Sequence, residues 1–177
     1  MNILLIRGAV NKKAIDLSHY TFSEPLGLQM LYSILSEQHN VEIFDMLADK
    51  KSLAFKLDEK SYDICGISSA CNDIFMIKKL ARKIKKIRNI PIFIGGYQVR
   101  KTPELFKSKY IDFIMVETNR ENLYEMLYSI TNSKSHEITG VLRRKSDFKQ
   151  TGKPVRKTKS CGRCLYWTGL VPNYLSK

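Results

Sequence analysis

The chain has 177 residues, a formal net charge of +13, and 44% hydrophobic and 10% aromatic content. These values suit one globular domain with an extension and exclude a disordered or collagen-like chain. No apolar run reaches the length of a membrane span, and Met1-Asn2-Ile3-Leu4-Leu5-Ile6 lacks the features of a secretory leader, so a cytoplasmic protein without membrane contact is expected.

Ile3-Leu4-Leu5-Ile6 reads as a first buried strand, followed by a long polar connection from Arg7 to Glu24. Loops of that length inside a compact domain commonly carry function. A helix is predicted from Pro25, tolerated in a first turn, through Leu28, Leu31 and Leu35 to about Gln38. Val41-Glu42-Ile43-Phe44 is the second strand, and a weaker helix is expected over 49–57 with Leu53, Phe55 and Leu57 for packing. Asp63-Ile64-Cys65-Gly66-Ile67 gives the third strand and leads into Ser68-Ser69. Asn72 or Asp73 can cap the next helix, whose apolar positions Ile74, Ile77, Ala81, Ile84 and Ile87 recur at three- and four-residue steps, with lysines and arginines on its outer face.

Ile92-Phe93-Ile94-Gly95-Gly96 is the fourth strand. An unbroken apolar run ending in two glycines is a strand covered on both faces that turns sharply, and bare backbone there serves either a tight turn or the close approach of a ligand. Tyr97-Gln98-Val99 and a short helix over 102–107 follow, then a fifth strand, Asp112-Phe113-Ile114-Met115-Val116, ending at Glu117, and a helix over 120–130. Strands alternating with helices in this way imply parallel β-α-β units with right-handed crossovers. The expected fold is α/β, a flavodoxin-like or Rossmann-like doubly wound five-stranded parallel sheet of order 2-1-3-4-5, with a ligand crevice between the first and third strands. The domain is expected to end near residue 131. Residues 132–177 carry a net charge of +9 against +4 for residues 1–131, so they read as a basic extension or linker, with one antiparallel edge strand expected at 138–142. From Lys134 to Lys159 the extension lacks the series of interleaved aromatics by which single-stranded nucleic acid is read, so nucleic acid is not the expected partner.

Set side by side, these pieces resemble the amino-terminal cobalamin-binding domain of cobalamin-dependent radical S-adenosylmethionine enzymes. The resemblance rests on Pro25-Leu26-Gly27-Leu28 opening the first helix, Ser68-Ser69 after the third strand, and Gly95-Gly96 after the fourth. Asp112-Phe113-Ile114 followed by Glu117 and Asn122-Leu123, and Ile138-Thr139-Gly140-Val141 beyond them, extend it to about residue 145. Val171-Pro172-Asn173-Tyr174-Leu175 is similar to the approach to that family's catalytic barrel.

The resemblance implies that a corrin ring lies over the strand tips and that its nucleotide tail enters a cleft between the sheet and a helix. The implied contacts are Pro25, Gly27, Ser68, Ser69, Gly95, Gly96, Tyr97, Gln98 and Glu117. His19 is included as a loop residue near the ring. Family members that put a histidine on cobalt use Asp-x-His-x-x-Gly, whereas this chain has Asp16-Leu17-Ser18-His19, so cobalamin is expected to bind without a protein imidazole on the metal.

No Cys-x-x-x-Cys-x-x-Cys occurs, so no iron–sulfur cluster of that type and no catalytic residues are expected in this chain; chemistry would need a separate radical S-adenosylmethionine or methyltransferase polypeptide. Cys161-Gly162-Arg163-Cys164 is half of a tetrahedral zinc site, a redox pair, or two solvent-facing thiols, with His136 a conceivable third ligand. A different class of function is a ligand-free interaction module that docks through its basic tail. Tyr20, Phe22, Phe75 or Tyr97 filling the crevice would favour that reading.

Overall fold

The computed structural model describes residues 1–8, 24–69, 74–132 and 137–144. His19, Tyr20, Phe22, Cys161 and Cys164 lie outside the described residues, as do the caps expected at Asn72 or Asp73. The sheet has the order β2-β1-β3-β4-β5-β6, with β1 at Asn2–Arg7, β2 at Asn40–Asp45, β3 at Ile64–Ser68, β4 at Ile92–Gly95, β5 at Phe113–Met115 and β6 at Val141–Arg143. The first five are parallel and β6 runs antiparallel to β5. The expected order is observed, and β6 extends it at the β5 edge.

Helices cover both faces. Leu4 and Ile6 of β1 pack with Leu53 and Leu57 of α2 (Leu53–Glu59) and with Ile77, Ala81 and Ile84 of α3 (Ile74–Ile87). Ile3 and Leu5 point the other way, toward Leu28, Leu31 and Leu35 of α1 (Leu26–Leu35). Leu123, Met126 and Leu127 of the last helix, Arg120–Thr131, share that second core. Successive residues of a strand face opposite sides, so a strand covered twice has no polar positions to spare. All four residues from Ile3 to Ile6 are accordingly 0% exposed.

Three local expectations are corrected. α2 starts at Leu53, not near Asp49, because Ser52 caps it, its Oγ accepting the Phe55 N–H at 3.2 Å. Leu53 and Leu57 are buried on one side of α2 while Phe55, two residues from each, is 55% exposed on the other. Tyr97 to Lys101 is helical, α4, and is followed by a single 3-10 turn at Pro103–Phe106 rather than a helix over 102–107; the last helix, Arg120–Thr131, is therefore α5. The edge strand begins later than expected, at Val141, since Ile138 bridges back to Val141 across a turn in which Gly140 takes a φ of 74°. No helix among the described residues is long and apolar enough to cross a membrane.

Candidate functional site

Between α1 and the carboxyl ends of β3, β4 and β5 lies an open cleft of about 110 Å³. That is several times the ~10–15 Å³ that one water needs on this measure. α1 supplies Gly27, Leu28, Met30 and Leu31 as one wall. Ser68, Gly95, Gly96, Met115 and Thr118 form the strand-tip side, with Gly66 and Phe93 beneath.

The cleft exists because side chains are missing where the chain would otherwise fill it. Gly66 sits in mid-strand, where an added Cβ would stand 2.3 Å from Phe93 Cζ and 2.9 Å from Leu5 Cδ2. The Phe93 ring thus lies across the bare backbone of β3 and makes the base of the cleft. Gly96 has φ 116° and ψ −179°, open only to glycine, and its Cβ would fall 2.5 Å from the Ser69 carbonyl oxygen. Ser69 in turn donates its N–H to the Gly95 carbonyl at 2.8 Å, which ties the tips of β3 and β4 together. Gly95 and Gly27 are different, because a Cβ would fit at either. A Cβ on Gly95 would lie 3.4 Å from Thr118 Oγ1, and one on Gly27 would meet nothing within 4 Å.

The rim of the crevice expected between β1 and β3 takes in residues 9–23 and 70–73, outside the described residues; the cleft among the described residues lies over β3, β4 and β5. Leu5 already packs against Gly66 on the β1 side, and the tips of β1 and β2 carry an ion pair, Arg7 Nη1 to Asp45 Oδ2 at 3.2 Å. The missing side chains are on β3 and β4, so the opening is there. Of the expected contacts, Gly27, Ser68, Gly95 and Gly96 line the cleft together.

The other expected contacts among the described residues do not line it. Pro25 precedes α1 as its cap residue. Ser69 is buried, at 2% exposure, behind Gly96. Tyr97 and Phe75 point outward, 63% and 80% exposed, and neither plugs the cleft. Gln98 turns along α4, where its Nε2 donates to Thr102 Oγ1 at 2.9 Å. Glu117 is exposed, because the N–H groups of Val116 and Glu117 both donate to the Gly140 carbonyl and the turn they make presents Thr118 to the cleft instead.

Residues that sequence reading passed over are Gly66, Phe93, Met30, Leu31 and Met115. Gly66 had a usable signal, since an isolated glycine in a strand marks a close approach. The apolar ones carry no signal that separates cleft from core.

No charged side chain lines the cleft among the described residues, and none of their histidines, cysteines and carboxylates gather as a metal site. Cys65 lies in the opposite core, and burial pushes its thiol up to about 12, so it is neither a thiolate nucleophile nor a ready ligand. What this site can do is hold a flat apolar group edge-on against backbone, with the Ser68 and Thr118 hydroxyls as its polar side chains.

Comparison with known proteins agrees with the fold. An uncharacterized methyltransferase of Pyrococcus horikoshii is 30% identical over 161 residues, 86% of this chain but 34% of that protein. The radical S-adenosylmethionine methyltransferase TsrM of Kitasatospora setae, solved with tryptophan and an S-adenosylmethionine analogue, superposes with a TM-score of 0.65 at 18% identity. That match takes in 80% of this chain and 28% of TsrM, so it bears on the fold. The chain therefore spans about a third of the length of proteins it resembles. The B12 binding domain family matches residues 13–127, well over half of the sequence, and the chain belongs to that family.

Proposed function

We propose that this chain binds a corrinoid with the nucleotide tail in the cleft between α1 and the tips of β3 to β5, and without a protein imidazole on the cobalt. The observation that carries the reading is the cleft itself, open and floored by Gly66 and Phe93, with Gly95 on its lining and Gly27 bordering free space. The residues present fit the group: a planar base needs a narrow apolar slot, and a ribose phosphate passing over a strand tip needs backbone without a Cβ. Gly95 leaves that passage, and Ser68 and Thr118 stand beside it to donate hydrogen bonds. Bound there, the corrinoid would supply a cobalt centre able to carry a methyl group. This chain's own part is to bind the cofactor, fix its orientation and keep water from the tail.

The absence of an imidazole ligand rests on Asp16-Leu17-Ser18-His19, whose spacing differs from the ligating motif. The catalytic half of any methyl transfer lies outside these 177 residues, which contain no Cys-x-x-x-Cys-x-x-Cys. A radical S-adenosylmethionine or methyltransferase module is the partner this reading requires.

Mixing the purified protein with hydroxocobalamin, followed by gel filtration, should give a protein peak with the visible spectrum of a corrinoid. A colourless peak under both oxidising and reducing conditions overturns the proposal. His19→Ala should retain the cofactor with an unchanged spectrum, and a shifted band on that substitution would place the imidazole on the metal.

A further inference from the structure

We infer that the cleft selects among corrinoids by the base of the tail, taking a benzimidazole and discriminating against adenine; the inference rests on the tail occupying the cleft. The walls are asymmetric in chemistry. Leu28, Met30 and Leu31 on α1, with Phe93 and Met115 on the sheet, present only carbon and sulfur. The polar side chains, Ser68 and Thr118, both stand next to Gly95: Ser68 is its register partner on β3, and Thr118 Oγ1 lies 3.4 Å from where its Cβ would be. Side-chain hydrogen-bonding capacity is therefore gathered at one end of a slot whose other side chains are apolar.

A dimethylbenzimidazole matches that distribution. With one nitrogen committed to the ribose, it has a single ring nitrogen to satisfy, and its far edge is hydrocarbon carrying two methyl groups. An adenine base of similar outline has several ring nitrogens and an amino group spread around its edge. Seated in the same slot, it would lay those groups against leucine side chains and thioethers that offer nothing in return, and a buried polar group without a partner costs more than an apolar one gains. Rejection of this kind works through unpaired groups and not through shape. The thioethers can adjust to either outline, so size alone would not discriminate.

The test is a set of visible-absorbance titrations of the protein with three probes: hydroxocobalamin, its adenine-base analogue, and cobinamide, which has no base. Cobalamin should bind tightest, with the adenine analogue roughly 10- to 100-fold weaker, or about 1.4–2.7 kcal/mol, and close to cobinamide. Equal affinity for the two complete corrinoids, both well above cobinamide, overturns the selection while leaving the cleft as the tail site. Cobinamide binding as tightly as cobalamin removes the tail from the cleft and overturns both readings. Met30 is 54% exposed, so Met30→Gln should fold normally. The amide it adds to the wall should narrow the adenine penalty several-fold, and an unchanged ratio counts against selection by unpaired polar edges.

Discussion

Gly95 and Gly96 are neighbours with opposite duties. Gly96 is required by the fold, since its φ of 116° and the Ser69 carbonyl 2.5 Å from its Cβ position leave no room for a side chain. Gly96→Ala should cost about 2–3 kcal/mol in urea unfolding, from backbone strain and a forced shift of the β3 tip. Gly95 borders the cleft, so Gly95→Ala should melt within a few degrees of the parent yet weaken hydroxocobalamin binding by about tenfold, as an extra methyl in a fitted site does. Calorimetry and titration on the two variants check this, and similar behaviour of both would merge the two roles. The glycine pair was legible in the sequence as a site or a turn; Gly96 takes the turn conformation and both glycines line the cleft. At the β5 tip the sequence singles out Glu117, whose charge draws the eye, whereas Thr118 beside it lines the cleft. Only the turn closed by the Gly140 carbonyl decides which of the two faces the cleft.

The elements that make the cleft differ in how plainly the sequence announced them. α1 was foreseen from its apolar spacing, yet its function as a wall comes from Gly27 and Met30, which sit off that stripe and are exposed. At the far edge, β2 is held to α2 by charges that no periodicity predicts. Glu42 accepts the Tyr62 hydroxyl at 2.5 Å, and Lys56 and Lys60 reach it at 2.9 and 3.1 Å. The Tyr62 hydroxyl first, and Lys56 after it, hold the Glu42 carboxyl down at about 2, against 4.5 ordinarily. A carboxylate whose folded pKa is depressed stabilises above its unfolded value, and that contribution fades as pH falls from about 4.5 toward 2. Glu42 is 33% exposed, so solvent screening reduces what the shift alone would suggest. Glu42→Gln should therefore be about 1 kcal/mol less stable than the parent at pH 7, and the gap should have largely closed by about pH 2. Urea midpoints taken across that range report it, and a gap that stays constant would show that the carboxylate's charge contributes nothing.

Across the whole molecule, the two ends of the sheet divide the work. The parallel order and the two cores follow from alternation of apolar strands and amphipathic helices, which is why they were readable; the position of the cleft follows from which side chains are absent, which only the packed structure displays. Opposite the cleft, at the amino-terminal end of β5, Asp112 joins several elements at once. Its Oδ2 accepts the Ile92 N–H at 2.9 Å and pairs with Lys85 of α3 at 2.7 Å, while its Oδ1 pairs with Arg144 just past β6 at 3.2 Å. Asp112 is 16% and Lys85 12% exposed, so removing the carboxylate strands that cation and a backbone donor with little water to replace it, while Arg144, 37% exposed, keeps the Lys109 carbonyl. Asp112→Ala should lose about 2 kcal/mol, or roughly 4–8 °C in Tm, and the folded fraction should bind hydroxocobalamin as the parent does because nothing at the strand tips has changed. Gly27→Leu should do the reverse. Its Cβ meets nothing within 4 Å, so α1 accommodates it without strain, but the side chain enters the cleft and should reduce corrinoid retention by tenfold or more, with Tm unchanged or slightly raised by the loss of a helical glycine. Melting curves and titrations of both variants form a crossed test. Should Asp112→Ala lose cofactor at temperatures where it is fully folded, the two ends are coupled; should Gly27→Leu bind like the parent, the tail does not lie against α1.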